Sequence, residues 1–134
     1  MARPKILVLP LLLALGLPMP GSAAGSLAEE AVVTEGLIAT AIAYEIGRRC
    51  DSLHPRMLAG IAFLNRLKSY AAGQGYTAAQ IDAYVDDDAE QDRLEAIARA
   101  RLAEKGGVVG DWATYCAVGR AEMAAGSQIG QLLR

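Results

Sequence analysis

Histidine is almost missing from this 134-residue chain, and that scarcity excludes a good deal of chemistry. The single imidazole, His54, cannot build a multi-histidine metal centre within one chain. Tryptophan and phenylalanine occur once each and cysteine twice. Cys50 and Cys116 are too far apart to form a Cys-x-x-Cys redox pair. No His-Glu-x-x-His, Gly-x-Ser-x-Gly or P-loop pattern is present. Sustained two-residue alternation is absent, as are Asn-Gly and Asp-Gly turns, so the ordinary signals of strands and hairpins are missing. Basic residues are scattered. The clustered pair Arg48-Arg49 is too small for a nucleic-acid surface and gives no reason to expect anionic lipid as a partner.

What is there begins with MARPKILVLPLLLALGLPMPGSAAGS. Arg3 and Lys5 precede an apolar run from Ile6 to Leu17, and Ser22-Ala23-Ala24 offers small residues for cleavage. This three-part order predicts a cleavable signal peptide over 1–24 and export to the periplasm. The run is shorter than the roughly 20 apolar residues a bilayer span needs, and no cysteine follows it to accept a lipid. No integral membrane anchor is therefore expected after cleavage. The remaining residues, 25–134, are read as a single helical domain. Without Arg3 and Lys5 they carry 11 basic and 15 acidic side chains, a net charge of −4. In an oxidising compartment Cys50 and Cys116 are expected to join in a disulfide.

Strong helix formers dominate this stretch. Ser26-Leu27-Ala28-Glu29 fits a capping box, so a first helix is predicted from Ser26 to about Arg49. A second starts near Pro55 and ends around Ala72. Its apolar residues, Met57, Leu58, Ile61, Phe63, Leu64 and Leu67, spread over a wide arc, which suggests the most buried helix of the set. Thr77 to Gln80 is another capping box opening a short third helix. A fourth runs from Asp87 or Asp88 to Lys105, and a fifth follows a cap at Asp111. The tail GSQIGQLLR adds at most a short turn. The fold class is thus all-α, a compact bundle of four to five helices with one disulfide.

The densest chemistry is acidic, with six carboxylates between Asp82 and Asp92. Neither EF-hand register across them supplies the glycine required at the sixth position. Asp87, Asp88 and Glu90 instead suit the positive end of a helix dipole, with Arg99, Arg101 and Lys105 at the other end. The cluster reads as the start of a helix, with no metal or catalytic role. His54, before Pro55, reads as a surface or capping residue, and pairing it with Ser127 is the weak remaining route to a hydrolase. Trp112 and Tyr115 share a helix face with Cys116, where they either pack in the core against the disulfide or line a partner-facing groove. The spacing favours the core.

At CDSLHPR (50–56), FLNRLKS (63–69), YVDDDAEQDRLEAIAR (84–99) and YCAVGRAEMAAGSQIG (115–130) the chain resembles a known family. It is similar to a domain-of-unknown-function family of small exported proteins from Rhodobacterales and related alphaproteobacteria. The resemblance implies a Gram-negative periplasm and suits an all-helical fold. It assigns no activity, ligand or catalytic residue.

The functional expectation is a non-enzymatic module that binds another periplasmic protein or an envelope component, without a cofactor. The alternative is an acid-stress holdase chaperone whose helices loosen when the carboxylates are protonated.

Overall fold

The fold is built around one central helix. In this computed structural model, which describes residues 25–134, α1 (Ala31–Arg49) carries more buried side chains than any other element. The expected signal peptide falls on residues 1–24, outside the described residues. α2 (Met57–Gly73), α3 (Ala78–Val85), α4 (Asp88–Glu104), α5 (Trp112–Ala125) and the four-residue α6 (Gln128–Gln131) complete the bundle. Among the described residues there is no strand, so the all-α reading holds.

α1 turns Ile38, Ile42, Ala43 and Ile46 inward, on the i, i+4 rows expected of a buried face. α2, α4, α5 and α6 all pack on it. Two glycines make these approaches possible. A Cβ at Gly36 would lie 2.7 Å from a methyl of Leu67, and one at Gly47 would lie 2.4 Å from the Pro55 ring. The core continues through Phe63, Leu94, Leu102, Tyr115, Val118 and Ile129, while a smaller cluster gathers Leu27, Val33, Ala71, Tyr76 and Ile81.

The helix starts follow local chemistry closely in two places. At Thr77 both capping-box bonds form, Gln80 N–H to the Thr77 hydroxyl at 3.1 Å and Thr77 N–H to the Gln80 side chain at 2.8 Å. At Asp87 the carboxylate accepts from Glu90 N–H at 3.0 Å, capping α4. Ser26 differs from expectation. Its hydroxyl caps a single 3-10 turn, Leu27–Glu29, and α1 restarts at Ala31 after an extended Glu30. Leu27 is drawn into the smaller core, and Tyr76 donates its hydroxyl to the Gly25 carbonyl, so tertiary contacts override the local signal. Asp111 stands at the start of α5 but makes no capping bond with its side chain. Thr114 there accepts from Val108 N–H at 2.8 Å.

α2 corrects a second expectation. It is not the most buried helix: Phe63, Leu67 and Ala71 are buried, but Met57, Leu58 and Ile61 are exposed. Its apolar residues form one wide arc, of which the flank of Phe63, Leu67 and Ala71 is covered, while Met57, Leu58 and Ile61 in its first turns have no partner among the described residues. A short antiparallel pairing not signalled by the sequence ties the loop before α2 to the C-terminus. His54 N–H donates to Arg134 O at 2.7 Å, and Arg134 N–H to His54 O at 2.9 Å.

Candidate functional site

Cys50 and Cys116 are bonded, with S–S 2.06 Å and Cα atoms 5.2 Å apart, joining the end of α1 to the first turns of α5. Tyr115 is buried beside this bond, and Trp112 packs edge-on against it with ring centroids 5.0 Å apart. Neither aromatic faces a free groove. The outer face of Trp112 is covered by the Arg49 guanidinium, 4.5 Å from the ring centroid.

The disulfide end of the bundle collects arginines that are scattered in sequence. Arg48 and Arg49 close α1, where cations meet the negative end of the helix dipole. Arg120, one turn past Cys116, reaches Ser52 Oγ at 3.4 Å. Arg56 donates to the Gln131 carbonyl at 3.0 Å, and Arg134 pairs with His54 through the backbone. The acidic side chains on the same turns are Glu45 and Asp51. Glu45 holds Arg49 at 3.2 Å and Arg48 at 3.8 Å. From this end rise the first turns of α2, with Met57 66%, Leu58 84% and Ile61 54% exposed.

Two clefts flank α1. One, of about 610 Å³, lies between α1 and α4 over an apolar floor of Leu37, Ala41, Leu94 and Ala98. Charges of both signs rim it, and Tyr84 stands in it. Burial pushes the Tyr84 phenol up to about 12, and the neighbouring Glu90 carboxylate adds to the shift. The phenol therefore stays protonated and donates to Glu90 at 2.9 Å. Glu90 also takes two bonds from Arg93, which hold its carboxyl below the usual range. Tyr84, Glu90 and Arg93 thus satisfy one another at the edge of the floor.

The other cleft, of about 660 Å³, borders Phe63, Leu67, Arg101 and Ser127. Several of its polar side chains are also paired. Arg101 clamps Glu35 across α4 and α1, with Nη2 to Oε1 at 2.8 Å, and this bond lowers the Glu35 carboxyl. Lys105 holds Glu122 at 2.6 Å, and Ser127 donates to the same carboxylate at 2.5 Å; both lower the Glu122 carboxyl. Ser127 Oγ meanwhile accepts from Gly130 N–H at 3.1 Å as the cap of α6. A Cβ at Gly130 would fall 2.2 Å from the Glu122 carbonyl, so GSQIG is a tight α5–α6 corner and no nucleophile elbow.

The sequence-level candidates thus separate. His54 is exposed in the loop paired with the C-terminus, while Ser127 is committed to Glu122 and to α6. Within the acidic cluster, Asp87 caps α4, Glu90 binds Tyr84 and Arg93, and Asp82 lies 3.8 Å from Lys68. Among the described residues no three His, Cys, Asp or Glu side chains converge as a metal set would. The apolar spacing of α2 shows a wide arc but not which flank of it a neighbour covers, so its exposed flank is not legible in the sequence.

No curated protein and no solved structure matches the chain. Residues 25–134, which include every element described above, match the profile of a family described as of unknown function, and the chain belongs to that family, DUF5333.

Proposed function

We propose that the protein is an exported, non-enzymatic interaction module that docks another component of the periplasm or envelope through the free apolar face of α2. The observation that carries this reading is the exposure of Met57, Leu58 and Ile61 side by side on one helix. Fully burying one such side chain is worth roughly 1.5–3 kcal/mol, so this face offers a partner binding energy that the fold itself does not use. A disulfide persists in oxidising compartments, which supports export together with the leader-like pattern of the first 24 residues.

The test is affinity capture of the tagged protein from its own cells after mild crosslinking. The comparison is a variant carrying Met57→Ser, Leu58→Ser and Ile61→Ser. The variant is expected to unfold at an unchanged urea concentration, since these side chains pack little, and to lose its partner. Undiminished capture by the variant would remove the α2 face from the mechanism.

A second reading, acid-triggered holdase activity, is supported by the carboxylate clamps between elements. Glu35 joins α1 to α4, Glu122 joins α5 to Lys105 at the end of α4, and Glu90 joins α4 to Tyr84 on α3. All three carboxyls are held below their ordinary value, each mainly by its basic partner. Their protons bind more tightly to the unfolded chain than to the folded one. The stabilisation is therefore full above the ordinary glutamate pKa of about 4.3 and is lost as pH falls through the lower folded values. Urea midpoints measured from pH 7 to pH 2.5 are expected to stay level down to about pH 5 and then to drop. Reversible binding of an apolar dye at pH 3, with suppression of client aggregation, is the result expected of a holdase. A compact, dye-free protein at pH 3 would rule that activity out.

A further inference from the structure

We infer that the disulfide end of the bundle is a docking surface for an anionic lipid bilayer, with Met57, Leu58 and Ile61 entering the headgroup region and the surrounding arginines meeting lipid phosphates. This deepens the interaction reading above and rests on it. The net charge of residues 25–134 is negative, but the charge is unevenly placed. From Ser52 to Ile81 the chain has no Asp or Glu, yet it carries Arg56, Arg66 and Lys68. The fold then adds Arg120 through its contact with Ser52, Arg134 through its pairing with His54, and Arg48 and Arg49 through the loop that follows them. Glu45 and Asp51 lie on the same turns, and Glu45 pairs with Arg48 and Arg49. Arg56, Arg120 and Arg134 still leave this end with an excess of basic charge, while six of the fifteen carboxylates cluster from Asp82 to Asp92.

Arg56, immediately before Met57, places a cation beside the apolar strip itself, while Lys68, in line with Ile61 two turns further along α2, lies 3.8 Å from Asp82. An apolar helical strip edged by cations is the pattern of helices that lie in a membrane interface, and it needs both components. Nucleic acid would leave Met57, Leu58 and Ile61 unused. More than half of each of the three side chains is exposed, so the surface they form projects outward, as insertion into a fluid interface requires. Each basic side chain close to an anionic surface adds about 1 kcal/mol, and the apolar side chains add burial energy.

The experiment is vesicle co-sedimentation of the disulfide-bonded chain. It compares phosphatidylcholine vesicles with vesicles in which part of the lipid is phosphatidylglycerol. Two variants accompany the unaltered chain: the triple serine variant at 57, 58 and 61, and Arg120→Gln with Arg134→Gln. Residues 1–24 are the same in all three proteins, so the differences report on the docking end. The unaltered chain is expected to sediment with anionic vesicles, less so in high salt, and hardly with neutral ones. The apolar variant should lose at least about tenfold in affinity, and the arginine variant about fivefold per charge removed. Equal binding to both vesicle types, or binding indifferent to either variant, overturns the inference. If the chain binds no vesicle but the triple serine variant still loses a captured protein, the lipid assignment fails and the interaction reading stands. If neither vesicles nor a protein distinguish the variant, both fall.

Discussion

Replacing Cys50 and Cys116 by serine, or reducing the bond between them, is expected to lower the unfolding free energy by about 4 kcal/mol. The bond closes a loop with a sequence separation of 66 residues, and loop-closure entropy removed from the unfolded chain grows with the logarithm of that length. Domains of this size are stable by only about 5–15 kcal/mol, so the loss is a large share of the total. Position matters as well as length. Cys50 is 2% exposed where α1 ends, so a serine hydroxyl there would be buried where the disulfide sulfur now sits. Urea unfolding of the oxidised, reduced and doubly substituted proteins checks the expectation. A loss under about 1 kcal/mol would mean that the unfolded chain is already constrained or that the folded bond is strained. The expected loss is also why the vesicle and capture experiments use oxidised protein.

The second large effect is expected at Ile46. Its side chain is fully buried, 0% exposed, on the α1 face that meets α5. A Cβ added at Gly119 would lie 2.9 Å from a methyl of Ile46 and 2.5 Å from Leu53, which shows how little room the contact leaves. Ile46→Ala removes three carbons at the centre of a contact that α1 and α5 both frame, and the cavity cannot collapse without moving the disulfide. The cost should be about 3–4 kcal/mol in urea unfolding. Leu58→Ala, at a residue of the same volume that is 84% exposed, should change stability by no more than about 0.5 kcal/mol. This pair separates residues that hold the fold from residues free for a partner. Similar costs at both positions would contradict the assignment of Leu58 to a surface.

What was legible in the sequence was local. Thr77 and Gln80 announce α3 because a capping box is a bond pattern within four residues. The acidic cluster was readable as a helix start for the same reason, since Asp87 needs only Glu90 N–H to act as a cap. The disulfide was readable from cysteine count and a leader-like start. What was not legible depends on distant parts of the chain. Ser26 carries a valid local signal, but the smaller core takes Leu27 and breaks the helix after one 3-10 turn. α2 was given too deep a place because hydrophobic spacing says that a face is apolar and not that a neighbour covers it. The arginine-rich end was invisible for a related reason. Arg49, Arg56, Arg120 and Arg134 come together only through the disulfide and the pairing of His54 with the C-terminus.

The same distinction places the candidate function on a surface and not in a pocket. In both clefts beside α1 polar groups pair within the chain, as shown by Tyr84 with Glu90 and by Glu122 with Lys105 and Ser127. Among the described residues the α2 face has no such partner. Site-specific photocrosslinking from position 58 in living cells tests that difference most directly, with position 100, exposed on α4, as the reference. The expected result is a discrete adduct, to lipid or to a single protein, from position 58 and none from position 100. Absence of any adduct at 58, or the same scatter of adducts at both positions, would contradict the proposal that α2 presents a docking surface.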